Sequence, residues 1–138
     1  MRKHVLLSVV ATLTLAACAS SLPRVSEESA TERYQNYAGQ PVDRFTAFNI
    51  TGWTALSRDK LVIWTGVNEA WLLTVWTNCQ DLQFAERIRL KRTGASVTRS
   101  DMVLVGRDQC PISEIRPIDV RQMKADRAAE REQGAAPR

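Results

Sequence analysis

The chain has 138 residues, 44% of them hydrophobic and 25% charged, with a formal net charge of +4. That length builds one modest hydrophobic core and one domain, not two. The only histidine is His4, so the rest of the chain has no Ser-His-Asp or Cys-His catalysis, no His-based zinc site and no imidazole general base.

Met1-Arg2-Lys3-His4 is a short basic start, and Val5 to Leu15 is apolar apart from Ser8, Thr12 and Thr14. That run falls well short of the roughly 20 residues that span a bilayer as a helix. A basic start, a short apolar run and then small residues describe a secretory signal over residues 1–17, to be left out of the fold. Leu15-Ala16-Ala17-Cys18 resembles the lipobox of bacterial lipoproteins. In that motif the thiol accepts a diacylglycerol and cleavage leaves the Cys as the first residue, so Cys18 is the expected lipidation site. The plainer alternative is a secreted protein cut near Ala17 or Ala19. Two or three acyl chains suffice for stable anchoring. Ala19 rather than Asp after the Cys implies, by the same resemblance, an outer-membrane lipoprotein facing the periplasm. Arg2 and Lys3 leave with the signal, so a mature chain of 121 residues carries +2. The basic pI therefore belongs partly to the precursor, and no nucleic-acid partner is expected.

Residues 18–40 are rich in Ser, Glu, Thr, Arg, Asn and Gln and read as a flexible tether, with Tyr34 and Tyr37 in a short helical turn at its end. Residues 41–128 read as a β-rich domain with a C-terminal helix, entered at Pro41. Phe45 to Ile50 is a candidate strand, and Trp53 to Ser57 is extended. Ser57-Arg58-Asp59-Lys60 is a tight turn in which Ser and Asp satisfy local backbone groups. Leu61 to Thr65 is β-branched and aromatic, and it pairs through Gly66-Val67-Asn68-Glu69 with Ala70 to Trp76 as a hairpin. Both runs are apolar on both faces, so they are central strands needing cover on each side.

Cys79 to Ala85 reads as a turn or short helix dropping Leu82 and Phe84 or Ala85 into the core. Arg87-Ile88-Arg89-Leu90-Lys91 alternates strictly, which predicts a half-exposed strand with Ile88 and Leu90 inward. Thr93-Gly94-Ala95 turns the chain, and Met102 to Val105 is a strand ended by Gly106-Arg107-Asp108-Gln109. Cys110 to Arg116 reads as an edge strand, where Pro111 is tolerated. Asp119 caps a helix from Val120 to about Ala128, with Gln122 placed to reach back. Residues 129–138 read as a frayed tail. The fold class is mainly β: five to seven short antiparallel strands in a barrel-like or strongly curved sheet, with a C-terminal helix and one disulfide.

With Cys18 assigned to lipid, Cys79 and Cys110 remain. Outside the cytoplasm such a pair is most simply a disulfide; a redox pair is the sharper alternative, without a Cys-x-x-Cys to support it. Leu61 to Leu73, Cys79-x-x-Leu82-x-Phe84-Ala85 and Cys110-Pro111-Ile112-x-x-Ile115-Arg116-Pro117-Ile118-Asp119 together resemble an uncharacterised family of small proteobacterial proteins, often with lipoprotein signals. The resemblance covers Trp53 to Met123 and implies architecture, location and a Cys79–Cys110 pairing. It implies no catalytic residue.

Arg87, Arg89 and Lys91, with Arg92 nearby, form a basic row, either a surface for anionic lipid headgroups, lipopolysaccharide phosphates or an acidic protein, or a solvated face that blocks strand aggregation. Trp53, Trp64, Trp71 and Trp76 are core residues or, for one of them, a stacking platform for a glycan or peptide. Asp59, Glu69, Asp81, Glu86, Asp101, Asp108 and Glu114 are scattered; a pair of them serving a hydrolase is the rival reading. The expected function is that of a lipid-anchored, non-catalytic envelope module without cofactor or metal, held at the membrane by its lipid. Its partner is an envelope protein or lipopolysaccharide.

Overall fold

The hairpin of doubly apolar strands forms, and the rest of the domain is arranged to cover it. The computed structural model describes residues 27–76 and 79–134; the signal and Cys18 lie outside the described residues. The elements are α1 (Glu27–Asn36), β1 (Arg44–Thr46), β2 (Gly52–Ala55), β3 (Lys60–Gly66), β4 (Glu69–Val75), a 3₁₀ helix (Gln80–Phe84), β5 (Ile88–Lys91), β6 (Ser96–Thr98), β7 (Met102–Val105), β8 (Asp108–Ile118) and α2 (Val120–Gly134). Six strands in the order β2-β3-β4-β8-β7-β5 make one strongly curved antiparallel half-barrel, while β1 and β6 pair separately. The mainly β class, the curved sheet and the C-terminal helix are as the sequence predicts.

The register of β3 and β4 separates their side chains cleanly. Leu61 opposes Leu73 and Ile63 opposes Trp71 on one face; Val62 opposes Leu72 and Trp64 opposes Ala70 on the other. The first set joins Val75, Val103, Val105, Ile112 and Ile115, and residues of both edge strands (Trp53, Ala55, Ile88, Leu90) pack on the same cluster. Both edges reaching one cluster identifies it as the inside of the curve. Phe45, Ala47 and Val97, from the small β1–β6 unit and the loop after β1, with Leu82 of the 3₁₀ helix, complete this inner core. Phe45 stacks on Trp71 at 4.7 Å between ring centroids, 16° from parallel, a packing gain beyond buried area.

The outer face of β3 and β4 is covered by the two helices. Val62, Ala70, Leu72 and Ile118 meet Val120 and Met123 of α2, with Tyr34 and Tyr37 packed alongside. The region read as tether thus enters α1 at Glu27, and from there the chain is held to the domain. Thr31 Oγ1 donates to the Leu56 carbonyl at 3.3 Å, Tyr34 meets Trp64 edge-on at 6.4 Å, and the Tyr37 hydroxyl donates to Asp126 at 2.7 Å. Asp119 accepts from the Gln122 N–H at 3.0 Å as the α2 cap. The Gln122 side chain turns forward to Asp126 at 2.7 Å instead of reaching back. Helix α2 runs on to Gly134, past the expected end near Ala128, because Ala, Arg, Glu and Gln propagate a helix without needing core contacts.

The reading of Cys110 to Arg116 as an edge strand is corrected. Strand β8 is not at an edge: it lies between β4 and β7. Residues 108–111 pair with β7, and residues 112–118 pair with β4. Its prolines fit because of where their missing N–H groups would point. The Pro117 carbonyl accepts from Gly39 N–H at 2.8 Å and the Pro111 carbonyl from Trp76 N–H at 3.1 Å. A strand residue aims its N–H and C=O the same way, so Pro117 faces away from β4 and Pro111 away from β7, and neither ladder loses a bond. At the handover Ser113 is bulged out of register with β4, and its hydroxyl donates to the Thr74 carbonyl at 3.0 Å. Of the two residues expected to follow Leu82 into the core, Ala85 packs there and Phe84 is 77% exposed. In a 3₁₀ helix positions three apart share a face, so Leu82 and Ala85 point inward and Phe84 does not.

Among the described residues the strands number eight because Ser96–Thr98, three residues with one apolar side chain, pairs with Arg44–Thr46. The turn at Ser57 forms as predicted, with Ser57 Oγ donating to Asp59 at 2.7 Å and Lys60 pairing with Asp59 at 2.9 Å. Burial pushes the Asp59 carboxyl up, but the Lys60 and Ser57 hydrogen bonds and the Lys60 charge outweigh it and hold the group below its ordinary range.

The Tyr37–Asp126 bond ties α1 to α2, and that bond, with the carboxylate charge, raises the Tyr37 phenol above its ordinary value of 10.0. A raised phenol stabilises the folded state in full below the unfolded value, and the contribution is lost as pH rises through the folded one. An absorbance titration at 295 nm is expected to show Tyr37 ionising at higher pH in the wild type than in Asp126→Asn. Superimposable titrations of the two proteins would mean α1 is not docked through Tyr37.

Candidate functional site

The helices cover only part of the outer face. They sit over β3, β4 and the second half of β8. On the other part, β5 turns Ile88 and Leu90 inward and leaves Arg89 and Lys91 exposed, with Arg87 exposed just before them. Arg89 lies opposite Leu104 and Lys91 opposite Met102; across the next ladder Leu104 meets Gln109 and Met102 meets Pro111. Since Val103 and Val105 point into the inner core, Met102 and Leu104 stand on the outer face beside the basic side chains of β5. Both are half-buried and belong to neither apolar cluster.

The β7–β8 hairpin turns on Gly106 and Arg107. Gly106 takes φ +57°, a conformation that suits glycine in a tight hairpin turn, and Arg107 is exposed at the tip. Two shallow depressions mark the face. One, about 320 Å³, is lined by Arg87, Ile88, Arg89, Leu104 and Gly106. The other, about 430 Å³, is lined by Arg89, Lys91, Leu104, Gly106, Arg107, Asp108 and Gln109. Among the described residues Arg87, Arg89, Lys91 and Arg107 enter no salt bridge.

Of the four predicted basic residues, the structure gathers Arg87, Arg89 and Lys91 and separates Arg92. The Arg92 guanidinium is half-buried and donates through Nη1 to the carbonyl oxygens of Ala47 and, at 3.0 Å, Ala95. It clips the loop after β1 to the turn before β6. Arg107 joins the face instead, a residue that sequence reading placed only in a turn. Three of the tryptophans (Trp53, Trp64, Trp71) are half-buried against the two cores, whereas Trp76 is 61% exposed. Val75 opposes Ile112, so the next pair along sets Trp76 opposite Pro111, and the bond between them agrees.

The cysteines are joined: Cys79 and Cys110 form a disulfide with Cα atoms 5.5 Å apart and a sequence separation of 31. Both are buried. A loop of that length contributes about 3–4 kcal/mol in the chain-entropy account. The bond ties the start of the 3₁₀ helix to β8 beside the basic face. The carboxylates are spread out. Asp59 serves its turn, Asp101 accepts from the Thr98 N–H at 2.7 Å and hydroxyl at 3.0 Å, and Glu114 lies 3.8 Å from Arg116. Asp108 is the carboxylate at the basic face. No group of three or more Cys, Asp or Glu among the described residues is placed to hold a metal ion.

Two joined cysteines framing apolar strands, followed by Pro-Ile and a capped helix, are the features on which the family resemblance rests. The chain belongs to DUF6491, a family of unknown function, whose pattern matches residues 1–134. No curated protein and no solved structure matches it. Membership in DUF6491 therefore fixes kinship and carries no activity.

The geometry separates a surface role from a structural one. In urea unfolding, Arg89→Gln and Lys91→Gln are expected to change stability by no more than about 0.5 kcal/mol. Arg92→Ala takes the side-chain donor from the Ala47 carbonyl and leaves the Ala95 carbonyl only the Ala47 N–H, and it is expected to cost about 1–3 kcal/mol. Equal losses at all three positions would contradict the separation.

Proposed function

We propose that this DUF6491 chain is an exported lipoprotein, attached to the outer membrane through lipid on Cys18 and facing the periplasm, where it acts as a non-catalytic binding or assembly module. The observation that carries the binding role is the outer face of β5 and β7. It has exposed cations on one strand, half-exposed apolar side chains on the next, and no ion pair among the described residues using up those cations. Such a surface suits a negatively charged envelope component: a protein with an acidic face or the phosphates of lipid or lipopolysaccharide. The carboxylates Asp59 and Asp101, occupied in their own turns, favour binding over hydrolysis.

The leader supports the location. Family membership spans residue 1 onward, which includes the basic start, the apolar run and Cys18. Helix α1 begins at Glu27, nine residues after Cys18. Whatever conformation those nine take, they reach no more than about 30 Å. A lipid on Cys18 therefore keeps the domain beside the bilayer.

Radiolabelled palmitate fed to cells making the full chain is expected to mark the protein, and Cys18→Ser is expected to abolish the mark. A wild-type chain that stays unlabelled overturns the anchoring.

A further inference from the structure

We infer that the basic outer face seats on the phosphate surface of the bilayer, as a second attachment that fixes the orientation of the domain. The inference rests on the binding face proposed above and names its partner. The chemistry of the face is mixed. Arg89, Lys91 and Arg107 are exposed cations, which an anionic headgroup layer neutralises over a broad area. Met102 and Leu104 lie between or beside them, and Trp76, opposite Pro111, extends the patch with a 61% exposed indole. Free phosphate would leave those apolar groups unused, and the cations stand on an open outer face instead of closing round a small ion. A bilayer interface offers phosphate and hydrocarbon together, the setting in which Trp is enriched.

The chain path favours the membrane over an acidic protein. Thr31 of α1 bonds to Leu56, and Leu56 begins the turn whose Asp59 carbonyl accepts from the Val75 N–H at 2.8 Å. The next residue is Trp76, bonded to Pro111, which pairs with Met102. The start of α1, and so the side from which the lipid-bearing segment arrives, lies at the end of β4 where the patch begins. With at most about 30 Å of chain in between, the bilayer holding the lipid is the anionic surface presented to the patch at the highest effective concentration.

The test uses the mature chain with Cys18→Ser, exported behind a cleavable signal, so that its result does not depend on acylation. It is sedimented with vesicles of phosphatidylglycerol and phosphatidylcholine, or of phosphatidylcholine alone. Binding is expected to be about tenfold or more tighter to the anionic vesicles and to weaken as salt rises. Inorganic phosphate at matched ionic strength should not displace it. Arg89→Gln with Lys91→Gln is expected to weaken binding about 30-fold, at roughly one headgroup-layer interaction per cation, while keeping the urea midpoint. Trp76→Ala weakens binding to a smaller extent, and Arg121→Gln on α2 leaves it unchanged. Equal binding to both vesicle types, no binding to either, or no loss in the double variant overturns the inference. Displacement by inorganic phosphate also overturns it, in favour of a small-anion site. Palmitate labelling reports separately on the anchor: a labelled protein whose Cys18→Ser form ignores vesicles refutes the seating alone, and an unlabelled protein that still binds them refutes the anchor alone.

Discussion

Two neighbouring strands without a polar face set the terms for the rest of this domain. Leu61, Val62, Ile63, Leu72 and Leu73 are all buried, and they alternate between two faces of one sheet. A sheet covered on one side would leave Val62, Leu72 and Trp64 in water, at about 1.5–3 kcal/mol for each large apolar side chain left unburied. The curve of the sheet, closed by the β1–β6 pair and the 3₁₀ helix, covers one face. Helices α1 and α2 cover the other. The need for helical cover stops where the alternation becomes polar, at β5. There Arg89 and Lys91 replace apolar side chains on the outer face, and the helices are not required. The uncovered basic surface is thus a consequence of the sequence pattern.

Strand β8 joins the two regimes. Its first residues complete the β5–β7 unit, and its later residues complete the β3–β4 hairpin. The bulge at Ser113 lets one strand serve both. The disulfide from Cys110 fixes the 3₁₀ helix at the same junction, and Trp76 emerges there. The basic row also sits on an edge strand, where Lys and Arg discourage pairing with a second sheet. Protection of the edge and attraction to an anionic surface are compatible uses of the same side chains.

The fold was legible where a single period dominated. Leu61 to Val75 declared a two-sided strand pair, and Arg87 to Lys91 declared its inner and outer faces. Asp119 declared a cap that the structure shows. Legibility failed where the deciding partner was distant in sequence. Pro111 and the polar residues of β8 suggest an edge, because nothing local shows that Pro111 faces Trp76 and not β7. Val97 alone could not announce a three-residue strand. Phe84 and Ala85 were alternatives for the core, and the three-residue period of the 3₁₀ turn selects Ala85. At the candidate site Arg92 was grouped with its neighbours by sequence adjacency, yet the strand ends at Lys91 and the guanidinium turns back to two carbonyls. Arg107 arrives from the hairpin after β7, a contribution that only the pairing of β5 with β7 brings into view.

The outer face is covered over β3 and β4 and open over β5 and β7. Two methionines report on the two parts: Met123 is buried on the sheet-facing side of α2, and Met102 stands half-exposed opposite Lys91. Limited oxidation of the native protein with dilute hydrogen peroxide, followed by peptide mass spectrometry, reads both at once. Met102 sulfoxide is expected to accumulate well before Met123 sulfoxide, with the difference vanishing in urea. Equal rates in the native protein, or faster oxidation of Met123, would contradict it.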